Sequence, residues 1–303
     1  MPVFPLQKTV IIIAGPTAVG KTSLAISLAQ HFNTEIISAD SRQCYRELNI
    51  AVARPTPEEL NTVSHHFIAD HSIHDEINAA AYEQYALQKL EELFQRHDVV
   101  IMVGGTGLYI KAFSEGLDNI PSVPEELRNT IIDNYEKNGI TWLQNEIKEN
   151  DPLFFEKGEM KNPQRMMRAL EIIKTTGRSI LDHHTGERKK RNFSIIKIGI
   201  ELPREELTQR INSRVDEMMR QGLVEEAKSV YTWKHLNALQ TVGYTEMFEY
   251  LDNKISLARA IELIKTHTRQ YAKRQMTWFK RDIEIYWFTH ASAGQVISFL
   301  ETM

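Results

Sequence analysis

Short apolar runs alternate with longer amphipathic stretches through the first third of this chain. Thr9–Ala14 (TVIIIA) is β-branched, apolar without alternation and followed by Gly15, which predicts a strand buried on both faces of a parallel sheet. Glu35–Ala39 (EIISA) and Val99–Val103 (VVIMV) predict two more. The first delivers Asp40 and Ser41 at its carboxyl end, and the second halts at Gly104-Gly105. Helices are predicted over Lys21–Phe32, where Leu24, Leu28 and Phe32 lie along one face, and over Ala79–Gln95, rich in Ala, Glu, Gln and Leu. Strands alternating with helices imply an α/β fold with a parallel, doubly wound sheet, whose ligands gather at the carboxyl ends of the strands.

From about Pro121 the texture changes. Pro124–Lys190 reads as helices without strands, broken at Asp151-Pro152 and Asn162-Pro163 and ending in the basic, polar HHTGERKKR. Ser194–Ile200 (SIIKIGI) predicts a strand rejoining the sheet, Leu257–Lys280 a long amphipathic helix and Glu284–Phe288 a closing strand. The expected organisation is an α/β core with C-terminal helices over 1–118 and 193–303, interrupted by an all-helical insertion over 119–192. No internal repeat or low-complexity segment is visible.

Composition is that of a globular protein, 42% hydrophobic and 25% charged. Cys44 is the lone cysteine, which excludes an internal disulfide and a cysteine-based zinc site. No apolar run approaches bilayer length, and MPVFPLQKTV is too short and weakly basic for a signal or transit peptide, so a cytoplasmic protein without a membrane partner is expected. The net charge of −4 conceals an uneven distribution. Residues 161–191 and 259–281 each carry +6, leaving −16 on the rest. Two basic islands suit a polyanionic partner touched at two places, or equally a pair of solvated helix faces.

Residues 15–22, GPTAVGKT, fit G-x-x-x-x-G-K-[ST] with the required strand before and helix after. Gly15 and Gly20 would let the loop amides converge on phosphate oxygens at a helix N-terminus. Lys21 would reach the terminal phosphate, and Thr22 would ligate Mg²⁺. Asp40 faces the same crevice as a metal-holding acid, a general base, or a helix N-cap or turn aspartate. No second carboxylate is placed for hydrolysis of a nucleoside triphosphate, so the loop could grip a diphosphate without transferring phosphate. Arg210 and Arg214 share a helix face and suit a leaving diphosphate, although Arg210 fits a surface ion pair. The pairs His65-His66 and His183-His184 lack further ligands at zinc spacing and read as packing or phosphate-facing groups. In the late helix Arg269, Lys273 and Arg274 suit a nucleic-acid backbone, whereas Trp278 and Phe279 are expected to face the core.

GPTAVGKTSLA, ISADSRQCY, AVARPTPEEL, HHFIAD, VVIMVGGTGLYI, NPQRMMRALEI, ELPREELTQRINSRVDEMM, QTVGYTE and TRQYAKRQMTWFKR occur in the order expected of one family. Over essentially its full length the chain resembles the bacterial tRNA dimethylallyltransferases, also called tRNA isopentenyltransferases. The resemblance implies a P-loop fold with an inserted helical domain. It also implies transfer of a dimethylallyl group from dimethylallyl diphosphate to N6 of adenine 37, next to the anticodon. Gly15, Pro16, Thr17, Ala18, Val19, Gly20, Lys21 and Thr22 would bind the diphosphate, with Mg²⁺ at Thr22. Asp40 would be the general base, and Lys21 and Arg214 would neutralise the departing diphosphate, with Arg210 one turn away as the alternative. Asp40, Ser41, Arg42 and Gln43 would meet the target base and its neighbours. Thr106, Gln164, Arg165, Met166, Met167 and Arg168 match segments that contact tRNA in the family, as do Gln240, Thr241, Val242, Gly243, Tyr244 and Thr245. This chain departs from some relatives, which carry arginine where it has Gln240 and Thr245. The implied partner is a tRNA anticodon stem-loop, engaged by a monomer. Rival readings are an isopentenyltransferase of free adenine nucleotides, a small-molecule kinase and a non-catalytic RNA-binding module. Only the kinase requires a nucleoside triphosphate.

Overall fold

The computed structural model describes residues 7–184 and 186–303. In chain order the elements are β1 (Thr9–Ala14), α1 (Lys21–His31), β2 (Ile36–Ser38), α2 (Pro57–Thr62), β3 (His65–His66), α3 (Ala79–Phe94), β4 (Val99–Gly104) and α4 (Gly107–Glu115). Next come α5 (Glu125–Asn150), α6 (Pro152–Lys157) and α7 (Pro163–Thr176). The chain closes with β5 (Ser194–Glu201), α8 (Arg204–Arg220), α9 (Leu223–Val230), α10 (Tyr244–Leu251), α11 (Leu257–Phe279), β6 (Ile285–Thr289) and α12 (Ala293–Glu301). The chain divides into two compact units, one of Met1–Ser114 with Lys190–Met303 and one of Glu115–Lys189. The divisions thus fall after 114 and 189 rather than after 118 and 192.

The larger unit is built on a parallel six-stranded sheet of order β3-β2-β4-β1-β5-β6. β1 sits between β4 and β5, and all six of its residues are buried. Because successive side chains point to opposite faces, β1 serves two cores at once. Val10 and Ile12 join Ile37, Val100 and Met102 beneath α3, α9, α10 and α11. Ile11 and Ile13 join Ile36, Ile101, Ile198 and Ile200 against α1 and α12. Each such buried aliphatic side chain contributes about 1.5–3 kcal/mol, which explains the unbroken apolar run. β3 was not expected. It consists of two histidines on the sheet edge, and His66 Nε2 lies 2.8 Å from Glu35. The basic late helix is observed as α11, but only Phe279 of its expected aromatic pair is buried. Trp278 is 38% exposed, contrary to the core-facing expectation, because it lies over Gly107 rather than under the helix.

The smaller unit is helical throughout its described elements. Asp151 caps α6 by accepting from Phe154 N at 2.9 Å, and Asn162 caps α7 by accepting from Arg165 N at 3.3 Å. Both aspartate–proline and asparagine–proline pairs therefore mark true helix starts. Within α5 the backbone breaks at Gly139, whose φ of 72° and ψ of −170° leave the helical region. Ile131, Leu143, Ile147, Phe154, Met166, Leu170 and Ile172 form its core.

Candidate active site

The glycine-rich loop leaves the carboxyl end of the central strand β1 and enters α1 at Lys21. Gly15 has a φ of 150°, and a Cβ there would stand 2.5 Å from the Ile200 carbonyl of the neighbouring strand. Only glycine allows the loop to hug the sheet in this way. Gly20 precedes α1 with a φ of 103° and no side chain caps the helix, so its first amides stay open to a ligand. Ala18 takes a left-handed φ of 65°, seated against Ile211 of α8 and Ala272 of α11.

One side chain absent from the sequence expectations ties this loop to its surroundings. Gln275, buried on α11, accepts from Thr17 N at 2.9 Å and donates to the Gly105 carbonyl at 2.9 Å. A Cβ on Gly105 would lie 2.3 Å from the Gln275 nitrogen, which explains that glycine as a close-approach position. α11 therefore fixes the phosphate loop and the turn after β4 together.

Two cations, Lys21 and Arg214, face the loop. Lys21 Nζ donates to the Pro16 carbonyl at 2.7 Å. Burial first, and then the Arg214 charge, lower its pKa from 10.5 to about 7, while Asp40 pulls it back up. Arg214, half-buried on α8, donates to Thr17 Oγ1 at 3.2 Å, and burial lowers its pKa against the opposing pull of Glu59. Arg210 is exposed and paired with Glu206 at 2.7 Å near Gly20, so of the two arginines Arg214 is the one with a hydrogen bond to the loop. A cavity of about 570 Å³ lies here, with Ala18, Gly20, Ser213, the cations Arg210 and Arg214 and the acid Glu206 in its lining. A larger one of about 880 Å³ opens beside the 49–57 segment and β3.

Asp40 stands at the end of β2. Its Oδ1 accepts from Arg42 N at 2.9 Å and Gln43 N at 3.2 Å, so the turn reading is correct for one oxygen. Among the described residues no hydrogen bond occupies the other. Its charge is felt by Lys21 and by Tyr271, whose hydroxyl is pushed up to about 12 by burial and then by Asp40. The turn is braced from β4: Thr106 Oγ1 accepts from Ser41 N at 3.0 Å, and Thr106 N donates to the Ala39 carbonyl at 3.1 Å. Arg42 donates to the Asn237 carbonyl at 2.8 Å, and the Gln43 side-chain nitrogen donates to the carbonyls of Val52 and Ala53. Lys21, Thr22, Asp40, Thr106 and Arg214 thus belong to one unit and cluster at the strands' carboxyl ends.

Several expected RNA contacts need correction. Met166 is fully buried in the helical unit's core, and Tyr244 is fully buried in the core of the larger unit. Gly243 is likewise buried, and Val242 packs partly against that core. Gln164 and Arg165 are exposed, Met167 is half-buried, and Arg168 pairs with Glu171 at 2.9 Å. Gln240, half-exposed Thr241 and Thr245 remain at the surface of their segment. His65 bonds to the Val63 carbonyl through Nδ1, and the described residues contain no group of three or more His, Cys, Asp or Glu that could hold a metal.

A glycine loop entering an uncapped helix, facing paired cations and one carboxylate at the ends of parallel strands, defines a phosphate-loop α/β protein with a P-loop NTPase-like core. The family model described as IPP transferase matches residues 43–282. A tRNA dimethylallyltransferase of Christiangramia forsetii is 49% identical over 91% of this chain and 91% of its own length. Another from Bacteroides fragilis is 46% identical over 97% and 98%. The crystal structure of the tRNA isopentenylpyrophosphate transferase of Bacillus halodurans superposes with a TM-score of 0.70 at 34% identity, covering 98% of this chain and 95% of that one. A eukaryotic dimethylallyltransferase acting on tRNA gives 0.78 at 30% identity, over 95% of this chain and 75% of that one. The chain belongs to the IPP transferase family.

Proposed function

We propose that this chain is a tRNA dimethylallyltransferase, moving the dimethylallyl group of dimethylallyl diphosphate to N6 of adenine 37 in an anticodon stem-loop. The observation that carries the reading is the meeting of Lys21 and Arg214 at the glycine loop, with Asp40 the carboxylate that faces them. A buried lysine whose proton affinity a neighbouring arginine lowers is stabilised by a polyanion, and a diphosphate supplies that charge where the two converge. In the reaction the allylic carbon–oxygen bond breaks and a carbon–nitrogen bond forms. The diphosphate leaves with the bonding pair, and the N6 proton passes to Asp40. The exocyclic amine is a weak nucleophile because its lone pair is delocalised into the ring, so a carboxylate placed for its proton helps as charge develops. Lys21 and Arg214 neutralise the charge growing on the leaving group.

The donor set fits Mg²⁺, a hard cation that takes few protein ligands and completes its shell with phosphate oxygens and water. Thr22 offers a half-buried hydroxyl at the loop's end with no hydrogen-bond partner among the described residues. Bound there, the ion would shield the diphosphate's charge. The target base must leave its stack to reach Asp40. Exposed Gln164 and Arg165 on α7, and Lys273 and Arg274 on α11, suit the RNA backbone. The chain is taken to act as a monomer in the cytoplasm. No helix among the described residues is long and apolar enough to cross a membrane.

The test is incubation with dimethylallyl diphosphate, magnesium and unmodified tRNA, followed by mass analysis of nucleosides. Isopentenyladenosine formed without any nucleoside triphosphate is the expected product. Prenylation of AMP at a comparable rate would favour the free-nucleotide rival, and ATP-dependent phosphorylation would overturn the reading.

A further inference from the structure

Three consecutive backbone amides of the 49–51 segment point at one carboxylate. Glu226, in the first turn of α9, accepts from Asn49 N at 3.1 Å and Ile50 N at 2.7 Å through Oε2. Its Oε1 accepts from Ala51 N at 3.0 Å and from the Tyr244 hydroxyl at 2.6 Å. Successive amides turned to one point form a nest for an anion, and here the chain fills the nest with its own side chain. Burial and the Glu226 charge push the Tyr244 hydroxyl well up, so it remains a proton donor.

The segment has no helix or strand to set its course. Ala53 N and Arg54 N close it onto the Ile50 and Asn49 carbonyls, and Ala53 takes a left-handed φ of 48°. Immediately beyond the nest, the Val52 and Ala53 carbonyls accept from the Gln43 side-chain nitrogen at 3.2 and 3.0 Å. An amide nitrogen has two protons, and both are taken, which leaves Oε1 as the group Gln43 can offer a substrate. Gln43 N in turn donates to Asp40 Oδ1 at 3.2 Å. An unbroken chain of contacts therefore runs from Glu226 to the carboxylate assigned as general base.

We propose that Glu226 is a positioning residue for base recognition. By holding 49–53 in place it fixes the Gln43 amide nitrogen on the Val52 and Ala53 carbonyls, leaving the amide oxygen for a base, while the Gln43 backbone N–H holds Asp40. An acceptor there suits a base that donates, and adenine donates through the exocyclic amine that reacts. The inference rests on the reading of Asp40–Gln43 as the place where the RNA base is met. Glutamine at 226 cannot substitute: it has one acceptor oxygen, and its own N–H groups would face amide donors.

The test compares binding of two anticodon stem-loops by the full-length protein, one with adenine and one with unsubstituted purine at the target position. The parent should prefer adenine by about tenfold, the scale of one good base-edge contact. Glu226→Gln and Gln43→Leu should each cut the preference to about threefold or less, and the double variant should lose no more than either. Inorganic pyrophosphate affinity should be unchanged in Glu226→Gln. Glu226→Asp, which keeps the charge, should retain part of the preference and guards against a folding defect. A Glu226→Gln protein with full adenine preference would overturn the proposal. Equal weakening of both stem-loops and of pyrophosphate would overturn it too, by showing a purely structural role. A parent protein that modifies no RNA would instead overturn the acceptor reading on which the proposal rests.

Discussion

Replacing Lys21 by methionine should make the ligand-free protein more stable while abolishing turnover. Lys21 is held protonated against its surroundings: burial and Arg214 bring its pKa from 10.5 to about 7. At about 1.36 kcal/mol per unit, that gap sets a ceiling of about 5 kcal/mol on the cost of the charge in the fold. The side chain is half-buried rather than enclosed, and methionine forfeits the bond to the Pro16 carbonyl, so a net gain of about 1–2 kcal/mol is expected. For a chain of this size that corresponds to about 1.5–3 °C in melting temperature. The pH dependence follows from the direction of the shift. Below about pH 7 both folded and unfolded states carry the proton and the folded state bears the full cost. Between there and 10.5 only the unfolded state keeps it, so the parent gains stability as pH rises and the advantage of Lys21→Met shrinks. Scanning calorimetry of both proteins near pH 6 and near pH 9 measures this. Pyrophosphate should reverse the order, stabilising the parent far more than the variant. A variant no more stable than the parent near pH 6, or an advantage that persists unchanged near pH 9, would refute the reasoning.

Asp40→Asn keeps an oxygen for the Arg42 and Gln43 amides but removes the base, so stem-loop affinity should hold while turnover falls about 10²–10⁴-fold in single-turnover assays. Arg214→Ala should lower turnover by about 10²-fold, whereas Arg210→Ala, which breaks an exposed pair with Glu206, should cost far less. Gln275→Leu leaves the Thr17 amide and the Gly105 carbonyl without their partner, at about 1–3 kcal/mol each. It should raise the KM for dimethylallyl diphosphate more than that for RNA. Proton uptake on pyrophosphate binding, read by calorimetry in buffers of different ionisation enthalpy, should be measurable near pH 8 because the bound anion restores the charge on Lys21.

The central strands were legible because burial on both faces demands an unbroken aliphatic run. β3 was not legible: two histidines give no period, and they pair only because Ile36 and Ile37 present an open edge. The phosphate loop was readable from spacing, yet Gln275 was not. It sits with Ala272 and Phe279 on the inward face of α11, where its place among apolar neighbours was the available clue. The corrections at Met166 and Tyr244 share one origin. Resemblance marked whole segments as RNA contacts, whereas helical periodicity decides which side chain of a segment faces out. In α7 the inward stripe of Met166, Ala169, Leu170 and Ile172 turns the methionine into the core. The choice between Arg210 and Arg214 lay beyond spacing, since both share a face and only the distance to Thr17 separates them.

Gln275 joins two jobs that could have been kept apart. α11 carries Lys273 and Arg274 outward and, on its reverse side, holds the Thr17 amide. One helix therefore carries both the outer basic face and the anchor of the glycine loop, and a shift of that rod cannot leave the loop untouched.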